Sequence, residues 1–445
     1  MQNEMRQYSV AELCSDPANA RRHGERNMEA ITASLRRFGQ QKPIVVDRTG
    51  VVVAGNGTLE AARKLGWLSI LGVETALQGT DRTAYAIADN RTGELAEWDD
   101  EILAAQLKAL QEEDIDLDSL GFSDEDLARL MDEARPGLTD PDDVPAPPDA
   151  AITQPGDLWI LGNHRLLCGD SSKAEDVDRL LGGARVHMVN TDPPYNVGVA
   201  SRSNNAIAVS GDRPIGQQGM DKAIRKGKHK VDEKLRAKDR SLVNDFISDE
   251  EFARLLRAWF GNIRRALEPG RVFYIWGGYS NIWNYPNALR ESELYFSQMI
   301  IWDKQHPVLT RKDYMGAHEW AFYGWREGAA HKFFGRSNAT DLWHVKKVNP
   351  QAMIHLTEKP VELAVRAIQY SSLPGENVLD LFGGSGSTLI ACEQTGRQAF
   401  LMEIDPLYCD VIATRYERFT GKPAQRISAG TNTDVDVQHN EPALR

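Results

Sequence analysis

Apolar residues along this chain change their spacing at short intervals, and each change marks an element. Near the N-terminus Tyr8-Ser9-Val10 alternates as a short strand, and Asn27 to Phe38 carries apolar positions at helical spacing. Ile44-Val45-Val46-Asp47 and Val51-Val52-Val53-Ala54 read as two strands joined by the turn Arg48-Thr49-Gly50. Gly55-Asn56-Gly57-Thr58 then caps a helix over Leu59 to Leu65, so residues 1–95 are predicted to form a small α+β unit. From Ala84 to Arg91 the spacing turns helical again and continues through Ile102 to Leu110. Ser123 starts another helix, with acids at 124–126 at its positive end. Residues 96–151 thus form an acidic helical segment that closes in a proline-rich stretch, 136–148, expected to be an extended, solvated linker.

Beyond Ile152 strands and helices alternate. Gly156–Gly162 reads as a hairpin pair, His164–Asp170 as a strand ending in Asp170 and Val186–Asn190 as a strand. Ser248-Asp249-Glu250-Glu251 opens a helix bearing Phe252, Leu255, Leu256, Trp259, Phe260, Ile263 and Leu267, ended by Gly270. Val272–Trp276, Met299–Trp302 and Trp320–Trp325 are further strands, whose aromatic residues read as core. Val361–Tyr370 is a helix, and Asn377–Asp380, Thr388–Thr395 and Ala399–Met402 run strand, helix, strand. This alternation predicts an open, mostly parallel α/β sheet with ligands at the carboxyl ends of its strands. Periodicity fails over 199–247, read as a mobile insertion, and again from Ser428 onward, read as a disordered tail.

A net charge of −12 argues against a nucleic-acid partner until it is located. Residues 101–150 hold 15 Asp/Glu and 3 Lys/Arg, which leaves 49 of each sign elsewhere. The acidic cluster reads as solubilising. Within the insertion, residues 221–240 carry nine Lys/Arg against four Asp/Glu. Lys222, Arg225, Lys226, Lys228 and Lys230 are candidate phosphate contacts there, the alternative being a solvated loop. Cysteines 14, 168, 392 and 409 have no paired metal spacing and read as reduced core thiols of a cytoplasmic protein. No apolar run approaches the length of a membrane span, and no metal is called for.

Two stretches carry the chemistry. Thr191-Asp192-Pro193-Pro194-Tyr195 follows directly on the strand 186–190. Two prolines withhold N–H donors and leave carbonyls free to accept. Asp192 adds an acceptor carboxylate and Tyr195 a stacking face, a set suited to a planar group that bears an NH2, such as a nucleobase. Alone, the run reads first as an ordinary strand-to-loop turn. The second stretch is Asp380-Leu381-Phe382-Gly383-Gly384-Ser385-Gly386-Ser387-Thr388, a strand running into a glycine turn that opens a helix. Glu403 ends the next strand, 19 residues beyond Gly384, placed for ribose hydroxyls. The third glycine of a dinucleotide site is missing, which favours other adenosine-containing cofactors. Asp170, beside Ser171 and Ser172, reads from the residues alone as a helix N-cap.

Together these stretches resemble the Asp-Pro-Pro-Tyr and Phe-x-Gly-x-Gly motifs of S-adenosylmethionine-dependent DNA amino-methyltransferases, over residues 152–420 and in the permuted β order. The resemblance implies a Rossmann-like methyltransferase sheet across 152–427. It implies Asp192, Pro193, Pro194 and Tyr195 as the catalytic group. It places S-adenosylmethionine against Asp170, Lys359, Asp380, Phe382, Gly384, Gly386, Thr388 and Glu403, Lys359 coming from His355-Leu356-Thr357-Glu358-Lys359-Pro360. An acid at the first motif position points to adenine N6, with cytosine N4 as the alternative. Residues 1–95 resemble the ParB N-terminal domain and the related sulfiredoxin-like fold. The turn Gly55-Asn56-Gly57-Thr58 lacks the arginines of the ParB nucleotide box, so nucleotide hydrolysis and DNA sliding are not expected. The other class of function left open is a ParB-like DNA-binding or partition protein with a degenerate transferase half. Double-stranded DNA is the expected partner, a membrane is not, and a homodimer is left open.

Overall fold

The structure is a computed structural model that describes residues 5–96, 98–113, 115–117, 120–196, 247–278, 281–308, 313–336, 338–346 and 359–429. The five basic residues from Lys222 to Lys230, the segment His355–Glu358 and residues 430–445 of the tail lie outside the described residues. The chain divides into two compact units, Met1–Asp132 and Glu133–Arg445.

The first unit runs β1 (Met5–Ser9), β2 (Cys14–Ser15), α1 (Glu25–Phe38), β3 (Ile44–Val46), β4 (Val51–Ala54), α2 (Asn56–Lys64), β5 (Ser69–Glu74), α3 (Gly79–Glu94), α4 (Asp100–Glu112) and α5 (Asp124–Leu130). Its sheet has the order β1-β5-β3-β4-β2. Val10, Leu13, Ile44, Val46, Val52, Leu59, Ala62 and Ile70 form its core. Gly55 has φ +93, and a Cβ there would lie 2.7 Å from Ile44 Cγ2, so the β4–α2 turn needs glycine. The helical pattern read as continuous from Ala84 to Leu110 is two helices, α3 and α4, that end and restart between Glu94 and Asp100. Ser123 starts α5 as expected: its hydroxyl accepts the Asp126 N–H at 3.1 Å while Asp126 accepts the Ser123 N–H at 3.0 Å. Cys14 is exposed, which corrects its reading as a core thiol; the other three cysteines are buried.

The second unit contains β6 (Leu158–Leu161), β7 (His164–Cys168), α6 (Ala174–Leu181), β8 (Val186–Thr191), α7 (Asp249–Ala266), β9 (Leu267–Gly277), α8 (Asn284–Glu291), β10 (Leu294–Val308), β11 (Gly316–Arg326), β12 (Leu342–His344), α9 (Val361–Ser371), β13 (Asn377–Asp380), α10 (Ser387–Thr395), β14 (Gln398–Glu403), α11 (Pro406–Thr420) and β15 (Gln425–Ile427). Its sheet has the order β12-β10-β11-β9-β8-β13-β14-β7-β6-β15. The strands β9, β8, β13, β14 and β7 are mutually parallel, and β6 and β11 run against them on either side. Helices cover both faces. One core packs α9, α10 and α11 on the sheet through Ala364, Ile390 and Ile412, and the other packs α6, α7 and α8 through Val177, Trp259 and Tyr285. The strand aromatics Tyr274, Trp276, Trp302 and Phe322 are buried, as expected. This is the predicted mostly parallel, Rossmann-like sheet, and β13 lies where the strand order reverses.

Two expectations fail in this unit. Gly270 does not end a helix: α7 stops at Ala266, and Gly270, with φ +78, lies within β9, where a Cβ would fall 2.3 Å from the Ala330 carbonyl oxygen. The proline-rich stretch is not a free linker either. Arg135 N–H donates to Gln394 O at 2.8 Å and Leu138 N–H to Phe419 O at 2.8 Å. Asp142 caps the start of α9 by accepting the Val361 N–H at 2.8 Å, and Val144 is buried against Tyr408 and Val411. Composition predicts solvation here, but the backbone donors and acceptors of this strap find partners on the second unit instead. No described helix is long and apolar enough to cross a membrane.

Candidate active site

The carboxyl ends of four neighbouring parallel strands bring the sequence motifs into one row. In spatial order β7 ends toward Asp170, β14 at Glu403, β13 at Asp380 and the glycine turn, and β8 at Thr191 and Asp192. The glycine turn is fixed from beneath. Gly383 N–H donates to Met402 O at 2.8 Å, Gly386 N–H to Gly383 O at 2.8 Å, and Gly384 N–H to Glu403 Oε2 at 2.8 Å. Gly384 (φ +53) and Gly386 (φ +90) both hold left-handed backbone, which glycine adopts without steric cost. Glu403 Oε1 accepts the Asp405 N–H at 2.9 Å, and burial pushes this carboxyl up to about 7 against those donors. Phe382 stands edge-on to Trp259 with ring centroids 4.9 Å apart.

Asp380 and Thr388, expected at the cofactor, face a buried polar seam between β8 and β13. Asp380 accepts from Thr191 Oγ1 at 2.8 Å, from Thr388 Oγ1 at 2.7 Å and from Phe382 N–H at 3.0 Å. Asn190 extends the seam: its Nδ2 donates to Thr388 Oγ1 at 3.1 Å and its Oδ1 accepts from Trp276 Nε1 at 3.2 Å. Burial outweighs the three donated bonds and holds the Asp380 carboxyl at about 7. Asp170 closes a local turn, with Oδ1 accepting from Ser172 N–H at 2.9 Å and Ser172 Oγ at 2.7 Å, and it is not the N-cap of α6, a place that Lys173 holds.

Just past β8 the Asp192 carboxylate holds two partners. Tyr195 OH donates to Oδ1 at 2.6 Å, and Lys359 Nζ donates to Oδ2. Lys359 also donates to Tyr195 OH at 3.0 Å and stands 5.5 Å from the Tyr195 ring centroid and 5.2 Å from that of Trp276. Burial raises the Asp192 pKa and the Lys359 ammonium opposes that rise. The Tyr195 hydroxyl is driven well above its ordinary range, chiefly by burial and then by the Asp192 charge, so it stays a donor. Tyr195 lies so close to Gly278 that a Cβ there would be 2.7 Å from its ring. Asn281 Nδ2 donates to Tyr195 O at 2.8 Å and to Asn196 O at 3.1 Å, which fixes the loop after the motif. Asn196 and Ile247 then exchange two hydrogen bonds of 3.0 Å each, joining the points where the chain leaves and returns.

Sequence reading missed Asn190, Asn281 and the charged pair behind Lys359, Glu319 of β11 and Lys304 of β10. A signal was present: Lys304 and Glu319 each adjoin strongly apolar strand runs, where a charge must find a partner. It also missed the link between the Lys359 segment and the glycine turn, where Ser387 Oγ donates to Lys359 O at 3.0 Å.

Residues 186–414 match the family described as DNA methylase, a span of more than half the chain that contains both motifs. This chain belongs to the DNA methylase family. The family comprises S-adenosylmethionine-dependent DNA methyltransferases. A second match, to the ParB-methyltransferase HTH domain, covers residues 101–155. It falls on the segment that composition presents as acidic and solubilising, and it supports the ParB-like reading of the N-terminal region. The chain is 31% identical over 147 residues to the type II methyltransferase M.Cfr9I of Citrobacter freundii, covering 30% of this chain and 49% of that protein. It thus spans about half the length of that relative. Against the type II methyltransferase M2.DpnII of Streptococcus pneumoniae identity is 24% over 245 residues, covering 52% of this chain and 82% of the relative. The crystal structure of an M1.HpyAVI–SAM complex aligns with TM-score 0.38 and 20% identity over 54% of this chain and 95% of the other.

The donor set of this methylase fits an adenosyl group. Glu403 spends one lone pair of each oxygen on backbone N–H groups and keeps others for hydroxyl donors. Asp170 and Phe382 flank it at the ends of adjacent strands.

Proposed function

We propose that this methylase transfers a methyl group to the exocyclic N6 of adenine in double-stranded DNA, with cytosine N4 as the alternative acceptor. The observation that supports the reading best is Asp192 with the Tyr195 ring at the carboxyl end of β8, beside the glycine turn of β13. S-adenosylmethionine, when bound, supplies an electrophilic methyl group. Glu403, Asp170, Phe382, Gly384 and Gly386 are assigned to hold it.

The amine lone pair is delocalised into the base ring and is a weak nucleophile. Asp192 accepts one of its N–H bonds and the Pro193 carbonyl the other, which orients the nitrogen and draws its lone pair out of the ring. The Tyr195 ring offers a stacking face, against which the base must be turned out of the duplex. An acid rather than a neutral side chain at position 192 favours adenine. Likeness to type II methyltransferases supports modification at a short recognition sequence. The basic residues Lys222, Arg225, Lys226, Lys228 and Lys230 are assigned to DNA phosphates, in a segment whose two ends are joined beside Tyr195 by Asn196 and Ile247.

Incubating the full chain with duplex DNA and labelled S-adenosylmethionine, then separating the nucleosides, tests the reading. N6-methyladenine is the expected product. N4-methylcytosine alone would move the assignment to cytosine, and no product despite bound cofactor would favour a degenerate transferase.

A further inference from the structure

The Asp192 carboxylate has to meet the target amine, yet both of its oxygens already hold a proton donor, Tyr195 OH and Lys359 Nζ. Behind Lys359 the charges continue in alternation. Lys359 Nζ lies 3.5 Å from Glu319 Oε2, and Glu319 Oε1 accepts from Lys304 Nζ at 2.6 Å. Lys304 is buried, with its ammonium 5.4 Å from the Trp302 ring centroid. Lys304, Glu319, Lys359 and Asp192 thus form a line of two cations and two anions with no net charge. Three of its members come from strands that neighbour one another in the order β10, β11, β9, β8, with Trp276 of β9 beneath Lys359. Lys359 stands between two carboxylates and two aromatic faces.

We propose that Lys359 is handed between Asp192 and Glu319. It covers Asp192 while no base is in the crevice and moves onto Glu319 when the amine N–H takes its place, with Lys304 holding Glu319 ready to receive it. Lys359, Glu319 and Lys304 are positioning residues for Asp192. The proposal rests on the assignment of Asp192 to the amine.

Geometry favours the hand-over. A move of less than about 1 Å takes Lys359 Nζ from 3.5 Å to charge-assisted hydrogen-bond distance from Glu319. The ammonium never becomes unpaired, so the exchange avoids exposing a buried charge. Lys359 also stays over the Tyr195 and Trp276 rings at either end of so short a move. Among the described residues, the groups that face Asp192 are Lys359, Tyr195 OH, Glu319 and, across the seam, Asp380. Of these only Lys359 is a cation.

This arrangement makes two substitutions move the Asp192 titration in opposite directions. Lys359→Met removes the counter-charge, so the Asp192 pKa should rise, by about one to three units. Glu319→Gln removes a nearby negative charge and leaves Lys359 to Asp192 alone, so the pKa should fall. Carboxyl-labelled aspartate NMR on the full chain reads this directly, with the Asp192 resonance identified by its loss in Asp192→Asn. The same signs should appear in methyl transfer. Lys359→Met should lose activity near neutrality and regain it at higher pH, whereas Glu319→Gln should lose it at all pH values, with Asp192 ionised but covered.

Equal or same-sign shifts of the resonance in the two variants, or no shift, would overturn the charge line, and undiminished methyl transfer in Glu319→Gln would overturn the hand-over and leave Lys359 a fixed structural contact. The NMR readout needs no turnover. A failure of the methylation assay with opposite NMR shifts would therefore count against the functional reading and not against the charge line.

Discussion

Two carboxyls at the ends of adjacent strands, Asp380 and Asp192, meet the same problem in different ways. Asp380 is buried among donors that belong to its own sheet: Thr191, Thr388 and the Phe382 N–H, each fixed by β8, β13 or α10. No cation is among these partners, and its carboxyl is pushed up to about 7. Asp192 is compensated by an ammonium on a long, rotatable side chain, delivered from outside the sheet just before α9. Short hydroxyl and backbone donors cannot leave without unfolding the seam, whereas an ammonium can move and keep its charge paired. The first arrangement suits a clamp, and the second suits a group that must change partners during a reaction.

The largest expected effect separates the two carboxyls by function. Asp192→Ala should slow methyl transfer by about 10²–10³-fold while leaving the dissociation constant for S-adenosylmethionine nearly unchanged in calorimetry. Gly386→Val should do the reverse, because a β-branched residue at φ +90 distorts the turn under the cofactor. Loss of cofactor affinity in Asp192→Ala would erase the distinction drawn here.

The next effect separates them by stability. Asp380→Ala leaves two buried hydroxyls and an N–H without their acceptor and should cost about 2–4 kcal/mol in denaturant unfolding followed by tryptophan emission. The sign of the pH dependence follows from the raised pKa. Between about pH 4, where an unfolded aspartate ionises, and about pH 7, the folded carboxyl keeps a proton that the unfolded one has lost. Its contribution to stability therefore falls as pH rises through that window and is level above it. Asp380→Asn should flatten that part of the profile, and an unchanged slope would assign the titration elsewhere.

The smallest effect concerns Glu403, the other carboxyl held at about 7. Hydroxyl donors of an adenosyl group are accepted best by the ionised form. Cofactor affinity should therefore improve as pH rises toward 7, by up to about tenfold per unit, and level off above. Glu403→Gln should remove the dependence.

Legibility in the sequence divides along the same line as the two carboxyls. Many of the strands and helices, the glycine turn and the Asp192–Tyr195 loop were readable, because each is written in one continuous stretch, whereas β5, α6, α8 and α11 went unread. The assignments of Gly270 as a helix stop and of 136–148 as a free linker failed because a glycine or a proline marks a local constraint and not what packs against it. Gly270 is needed for the approach of the Ala330 carbonyl, and Asp142 is needed for the start of α9. The charge line was invisible because Lys304, Glu319 and Lys359 are far from Asp192 in the chain, and only the strand order β10-β11-β9-β8 brings them beside it. The match at 101–155 shows a domain under a composition that reads as solubilising acid.

The pair of hydrogen bonds between Asn196 and Ile247 has a consequence for how such a protein can diversify. With Asn196 and Ile247 tied to each other, the end of the motif loop and the start of α7 are held together whatever the length of chain between them. The free energy of closing a loop changes only by about 0.6 kcal/mol per doubling of its length, so intervals of different size and charge can be exchanged at this clip. The strand before the clip and the helix after it would keep their geometry. Selection could then alter the length of the interval while leaving Asp192 and Tyr195 in place.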